Sequence, residues 1–181
     1  MDVTVDTNHN EDDIFAGLQE LRPSRERLDI GDVRIRSPTI VLYVERKTFP
    51  DLCSSITDGR YAEQKNRFLE ASDMEGGPEH HLIYLMVGNV VPSWRDRQRH
   101  GFPNQNAFAA LLKTQLRDKI PPFWVADTRD ACDCLTYLYK QLRDNKLHMS
   151  ACTRQADASV RQRKRKCGTD TPPPLHARIR R

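Results

Sequence analysis

As far as about residue 150 the apolar residues follow two periods, and beyond it they follow none. Val3 to Asp6 predicts a short buried strand. Thr39 to Val44, a continuous β-branched and apolar run, predicts another, as do Leu82 to Val87 and, after Pro121-Pro122, Phe123 to Ala126. Leu28 to Ile35 predicts a strand pair or a bent strand around Gly31-Asp32, broken by Ser37-Pro38. The helical period is met from Glu11 to Leu21, where Ile14, Phe15, Leu18 and Leu21 share a face behind an acidic first turn. Phe49 to Ile56 and Tyr61 to Ala71 predict two helices separated at Asp58-Gly59. Asn106 to Lys119 predicts a third, with Phe108, Leu111, Leu112 and Leu116 as its apolar face. Thr128 can cap a last helix with Cys132, Leu135, Leu138, Tyr139 and Leu142 as its stripe. Gly76-Gly77-Pro78 reads as a turn and residues 90–104 as a loop. Strands alternating with helices make an α/β domain whose central sheet is covered on both faces.

The sequence has 181 residues, enough for one well-cored domain over residues 1–148 and a tail over 149–181. The tail contains a run of basic residues at 161–166 and Pro172-Pro173-Pro174, a composition expected to be disordered. Such a run suits nuclear import or a non-specific DNA arm. Charge is divided unevenly. The total is +4, but residues 151–181 hold nine Lys and Arg against Asp157 and Asp170, a net +7 that leaves −3 for residues 1–150. Any affinity for nucleic acid must therefore come from a local patch or from the tail. No apolar run approaches the roughly 18 residues of a membrane span, and the acidic N-terminus lacks a signal-peptide apolar region. The scattered cysteines (Cys53, Cys132, Cys134, Cys152 and Cys167) read as reduced thiols of an intracellular protein, nuclear or cytoplasmic. His80-His81 and Cys132-x-Cys134 fit no standard zinc spacing.

The chemistry concentrates where the Thr39–Val44 strand ends. Glu45 and Lys47 fall on one face by the two-residue period, and Asp32 can bring a second carboxylate to the same place. Asp32 and Glu45 are hard oxygen ligands suited to Mg²⁺ or Mn²⁺, and the Arg46 carbonyl can complete the shell. Lys47 can orient or help deprotonate a water, or stabilise charge on a phosphate. The Arg46 side chain falls on the opposite face, to contact acids or pack beneath the site. Asp6, ending the first strand, can lie beside Asp32. Asp51, a turn into the next helix, can anchor Lys47 or Arg46. Arg60, Lys65 and Arg67 follow a glycine break and can bind phosphates. The loop Trp94-Arg95-Asp96-Arg97-Gln98-Arg99-His100 mixes aromatic and basic residues in a way that suits single-strand or fork contact.

Gly31-Asp32, twelve residues, Glu45-Arg46-Lys47, three residues and Asp51 resembles the signature of the XPF/Mus-type structure-selective endonucleases. Asp51 to Arg67, with Asp58-Gly59-Arg60 and Glu63-Gln64-Lys65, is similar to the crossover-junction branch of that family. The resemblance covers roughly residues 2–145. It implies a restriction-endonuclease-like three-layer α/β fold with a central mixed sheet. It implies Mg²⁺-dependent cutting of branched double-stranded DNA (3′ flaps, forks and nicked junctions) in recombination, repair or genome processing. The essential groups would be Asp6, Asp32, Glu45, Arg46, Lys47 and Asp51, with Asp6, Asp32 and Glu45 on the metal. Arg60, Gln64, Lys65 and Arg67 would lie along the DNA. The family also implies a dimer, of two such chains or with a related subunit.

The chain departs from the family pattern twice. After Asp6 come Thr7-Asn8-His9-Asn10, so the fourth carboxylate falls to Glu11 or is missing. Residues 151–181 do not supply the paired helix-hairpin-helix motifs common in the family, so DNA selectivity is expected to be looser or to come from a partner. The rival to catalysis is a DNA-binding scaffold subunit of a nuclease dimer. Such subunits lose motif acids, and Asp32, Glu45 and Asp51 are all present here.

Overall fold

The architecture, taken from a computed structural model, describes residues 1–72, 77–98 and 100–146. The basic run at 161–166 and the triple proline lie outside the described residues. Six strands make one mixed sheet: β1 (Asp2–Asp6), β2 (Ser24–Glu26), β3 (Val33–Arg36), β4 (Ile40–Thr48), β5 (Glu79–Val87) and β6 (Pro122–Val125), in the order β2-β1-β3-β4-β5-β6. β1 pairs antiparallel with β3, and β3 antiparallel with β4, while β4, β5 and β6 run parallel. The helices are α1 (Asp12–Gly17), α2 (Phe49–Thr57), α3 (Arg60–Ser72), α4 (Asn104–Leu116) and α5 (Thr128–Arg143). None is long and apolar enough to cross a membrane.

The two faces of the sheet are covered by different helices. Leu82, Tyr84 and Met86 of β5 pack with Phe49 and Leu52 of α2, Tyr61 and Phe68 of α3, and Ala107 and Leu111 of α4. α1 packs on α5, which lies against β5 and β6. A parallel pair buried on both faces is apolar without alternation, as β4 and β5 largely are.

Five stretches differ from expectation. β4 continues through Glu45-Arg46-Lys47 to Thr48 rather than stopping at Val44, because its ladder with β5 runs unbroken from Ile40↔Glu79 to Thr48↔Val87. The same ladder starts β5 at Glu79, ahead of its apolar run. β2 had no apolar signal, since all three residues are exposed on a charged edge strand. In place of a bent strand, residues 28–32 form an irregular approach to β3. The helix expected from Glu11 to Leu21 breaks into 3₁₀ turns at His9–Glu11 and Gln19–Leu21 around α1. At its end, Gly17 lies so close to the Cys132 sulfur that no Cβ would fit.

The phase of α4 also differs. Ala107, Leu111 and Thr114 form its buried stripe, whereas Leu112 and Leu116 are 49% and 68% exposed and do not belong to the core. Thr114 is drawn inward by the Tyr61 hydroxyl, 2.7 Å from its own. At α5, Asp127 rather than Thr128 is the cap, its carboxylate accepting from the Asp130 amide at 2.9 Å.

Candidate active site

Alternation along β4 separates the charged triplet. Glu45 and Lys47 point to the face covered by α2 and α3, and Arg46 points to the other. Lys47 Nζ donates to Glu45 Oε1 at 2.8 Å, with both side chains only 8% exposed. On the far face the Arg46 guanidinium clasps Glu11, Nε to Oε2 and Nη2 to Oε1, each at 2.9 Å. Arg46 Nη2 also donates to the Asn10 carbonyl at 2.6 Å. A bidentate pair of this kind fixes both partners. Glu11 is thus committed to Arg46 and does not stand as a free fourth carboxylate, which answers the first departure from the family pattern.

Asp32 is placed by its backbone. Gly31 adopts φ +69°, and a Cβ there would stand 2.9 Å from the Val44 carbonyl oxygen, so the approach needs glycine. The Asp32 amide then donates to the Val44 carbonyl at 2.8 Å, and its carbonyl accepts from the Asp6 amide at 2.9 Å. Its carboxylate Oδ2 accepts the Arg46 backbone N–H at 2.6 Å. Burial, then the nearby Glu45 and Glu11 charges, push the Asp32 pKa well above the usual carboxylate range; the Arg46 amide and Lys47 oppose this. Asp6 Oδ1 accepts the Leu28 amide at 2.8 Å, tying down the irregular segment that carries Gly31.

These groups open on a cavity of about 160 Å³ lined by Asp6, Asp32, Glu45, Gln64, Arg67 and Tyr84, among others. Two polar atoms in its lining residues, Gln64 Oε1 and Tyr84 Oη, are buried without a hydrogen-bond partner among the described residues. Buried polar atoms are almost always satisfied, so these await water or a ligand. The donors suit a divalent ion of the Mg²⁺ class. Such an ion takes one or two carboxylates and keeps water and phosphate oxygens around it, and it would relieve the repulsion that raises the Asp32 pKa. Among the described residues, however, no three acids, histidines or cysteines form a group able to hold an ion. Asp6 borders the same cavity as Asp32 and Glu45, and its carboxylate anchors the segment that carries Gly31.

The remaining expected residues divide. Asp51 pairs with Thr48, the N-cap of α2, instead of with Lys47 or Arg46: the Thr48 hydroxyl donates to Asp51 Oδ2 at 2.6 Å, and the Asp51 amide donates back at 3.3 Å. This reciprocal pairing satisfies the start of the helix. On α3, Gln64 and Arg67 line the cavity, and exposed Arg60 falls on the same helical stripe, holding Asp58 at 2.9 Å. Arg67 also donates to the Asp29 carbonyl at 3.2 Å. Lys65 faces the other way. It is buried against α4, its Nζ 2.7 Å from Asp118, and is no surface contact for DNA. Trp94 stacks on Phe108 at 5.4 Å. Sequence reasoning missed Tyr84, which lies beside Glu45 in the β4–β5 register and inside an apolar strand. Its one signal was a hydroxyl-bearing residue in an otherwise hydrocarbon run.

A family profile described as the ERCC4 domain matches residues 5–138. No curated protein matches the chain. Among solved structures it is similar to XPF from Aeropyrum pernix, with 25% identity and a TM-score of 0.59 over 90% of this chain and 73% of that one. It is similar also to XPF from Aeropyrum pernix in complex with DNA, with 26% identity and a TM-score of 0.58 over 80% of this chain and 66% of that one. The mixed six-stranded sheet with its helices is the restriction-endonuclease-like α/β fold of those nuclease domains.

Proposed function

The chain belongs to the ERCC4-domain family of structure-specific DNA nucleases, and from that premise we propose that it is a divalent-metal-dependent endonuclease hydrolysing phosphodiesters in branched double-stranded DNA. The observation that carries the reading is the convergence of Asp32, Glu45 and Lys47. A buried lysine holds one carboxylate, a backbone amide holds the other, and both carboxylates border one polar cavity.

Asp32 and Glu45 would hold Mg²⁺, for which Mn²⁺ substitutes. When bound, the ion supplies charge neutralisation at the phosphate and makes a bound water more acidic. The chain's own groups do the rest. Lys47, an ammonium with one proton on Glu45, has two more N–H donors for the attacking water or the scissile phosphate. The Arg46 amide fixes the Asp32 carboxylate, and the Glu11 clasp on the far face fixes Arg46. Water adds to phosphorus in line, and the phosphorus bond to the leaving oxygen breaks. Arg60, Gln64 and Arg67 on one stripe of α3 would follow the DNA backbone beside the cut. A second copy or a related subunit would complete a dimer, as the family implies.

The test is a panel of labelled 3′-flap, fork, nicked-junction and plain duplex DNA with Mg²⁺, Mn²⁺ or EDTA. Metal-dependent cutting of the branched members is expected. Tight binding of branched DNA with no cutting in either metal would make the chain a scaffold subunit. Equal cutting of plain duplex would remove the structure selectivity.

A further inference from the structure

Tyr84 is wholly buried, yet its hydroxyl has no hydrogen-bond partner among the described residues, and the residue lines the cavity that Asp32 and Glu45 also line. Its place follows from pairing. In the parallel β4–β5 ladder Glu45 and Tyr84 are register partners, so both side chains leave the sheet on the same face, side by side. The ring is held from behind by Tyr61 of α3, stacked with centroids 5.4 Å apart, and Tyr61 is held in turn by Thr114 of α4, hydroxyl to hydroxyl at 2.7 Å. Two helices thus immobilise a phenol whose hydroxyl has no hydrogen-bond partner among the described residues.

We infer that Tyr84 is a positioning residue of this site, its hydroxyl donating through one water of the cavity to the side of the Glu45 carboxylate that Lys47 leaves free. Lys47 occupies Glu45 Oε1, so a second donor from the neighbouring strand would fix the orientation of the carboxylate. Outer partners of this kind set how a carboxylate presents itself to a cation. A tyrosine hydroxyl ordinarily loses its proton only at about pH 10, so at neutral pH the phenol is a donor. The inference deepens the nuclease reading and rests on its metal site.

The experiment compares wild type with Tyr84→Phe, which removes one oxygen and leaves the ring stack in place. Calorimetric titration with Mn²⁺, without DNA, reads the site apart from catalysis. Mn²⁺ affinity is expected to fall by about tenfold or more, while the ring stack on Tyr61 keeps the metal-free variant folded. A purely structural role would lower the melting temperature and leave Mn²⁺ affinity unchanged. Equal affinity in the two proteins overturns the inference whether or not the wild type cuts DNA. The wild type's activity on the branched panel decides the nuclease reading separately.

Discussion

Arg46 and Glu11 meet on the face of β4 opposite Glu45 and Lys47, joined by two hydrogen bonds of 2.9 Å with Glu11 only 4% exposed. The backbone amide of that same Arg46 holds Asp32. The clasp therefore braces the cavity-facing side of β4 from behind. Glu11→Ala strands the guanidinium and is expected to destabilise the fold by roughly 3 kcal/mol, the lower end for a buried pair, because Arg46 retains some solvent. Arg46→Lys, unable to clasp both oxygens, should recover less than half of that. Urea unfolding midpoints check both. An unchanged midpoint in Glu11→Ala would mean that the pair contributes nothing.

Lys65 and Arg67 lie two positions apart on α3, and their roles are expected to separate. Lys65 pairs with Asp118, whose carboxylate is pulled down to about 2, first by Arg117 and then by Lys65. Asp118→Asn should destabilise the protein, and the Asp118 contribution should fade as pH falls from the ordinary carboxylate value toward about 2. Lys65→Met should leave DNA affinity near wild type. Arg67→Ala should weaken binding to every sequence alike and lower the salt slope by about one. Electrophoretic titrations at several salt concentrations distinguish the two.

Asp32 carries the opposite sign. Its folded pKa is raised, chiefly by burial and then by Glu45 and Glu11. The folded form therefore holds a proton that the unfolded chain has already lost, and the metal-free protein loses stability as pH rises from the ordinary carboxylate range through the raised value. A divalent ion needs the carboxylate ionised, so Mn²⁺ binding should release a proton in that window. Asp32→Asn should stabilise the metal-free protein above it and abolish the release. Calorimetry in buffers of different ionisation enthalpy reads the proton directly.

Gly31→Ala forces a side chain into φ +69° with its Cβ 2.9 Å from the Val44 oxygen. Left-handed strain alone costs roughly 1–2 kcal/mol. The contact adds to this and shifts Asp32. A melting temperature lowered together with a loss of Mn²⁺ affinity is expected. A variant that loses neither would mean that the glycine is incidental.

The heart of the site was legible because it is local. Period-two alternation separates Arg46 from Glu45 and Lys47 without any tertiary knowledge. The glycine before Asp32 likewise announced a turn, although as an irregular segment rather than a bent strand. What stayed hidden depends on distant partners. Lys65 reads as a surface cation until Asp118 arrives from the end of α4. Asp51 reads as an anchor for its basic neighbours until the Thr48 hydroxyl claims it. Thr114 is polar by type and buried by its bond to Tyr61, which turned the expected face of α4 and left Leu112 and Leu116 outside. Edge strand β2 has no hydrophobic pattern to read, since neither of its faces is buried.

The most direct test of the central claim is cleavage of an end-labelled 3′ flap in Mg²⁺ by wild type and by Glu45→Gln, which keeps an acceptor for Lys47 while removing a charged oxygen ligand. The wild type should cut, and the variant should be folded and at least about a hundredfold slower, the loss of several kcal/mol of charge stabilisation. A folded variant that cuts at the wild-type rate would contradict the assignment of Glu45, and with it the account of the site.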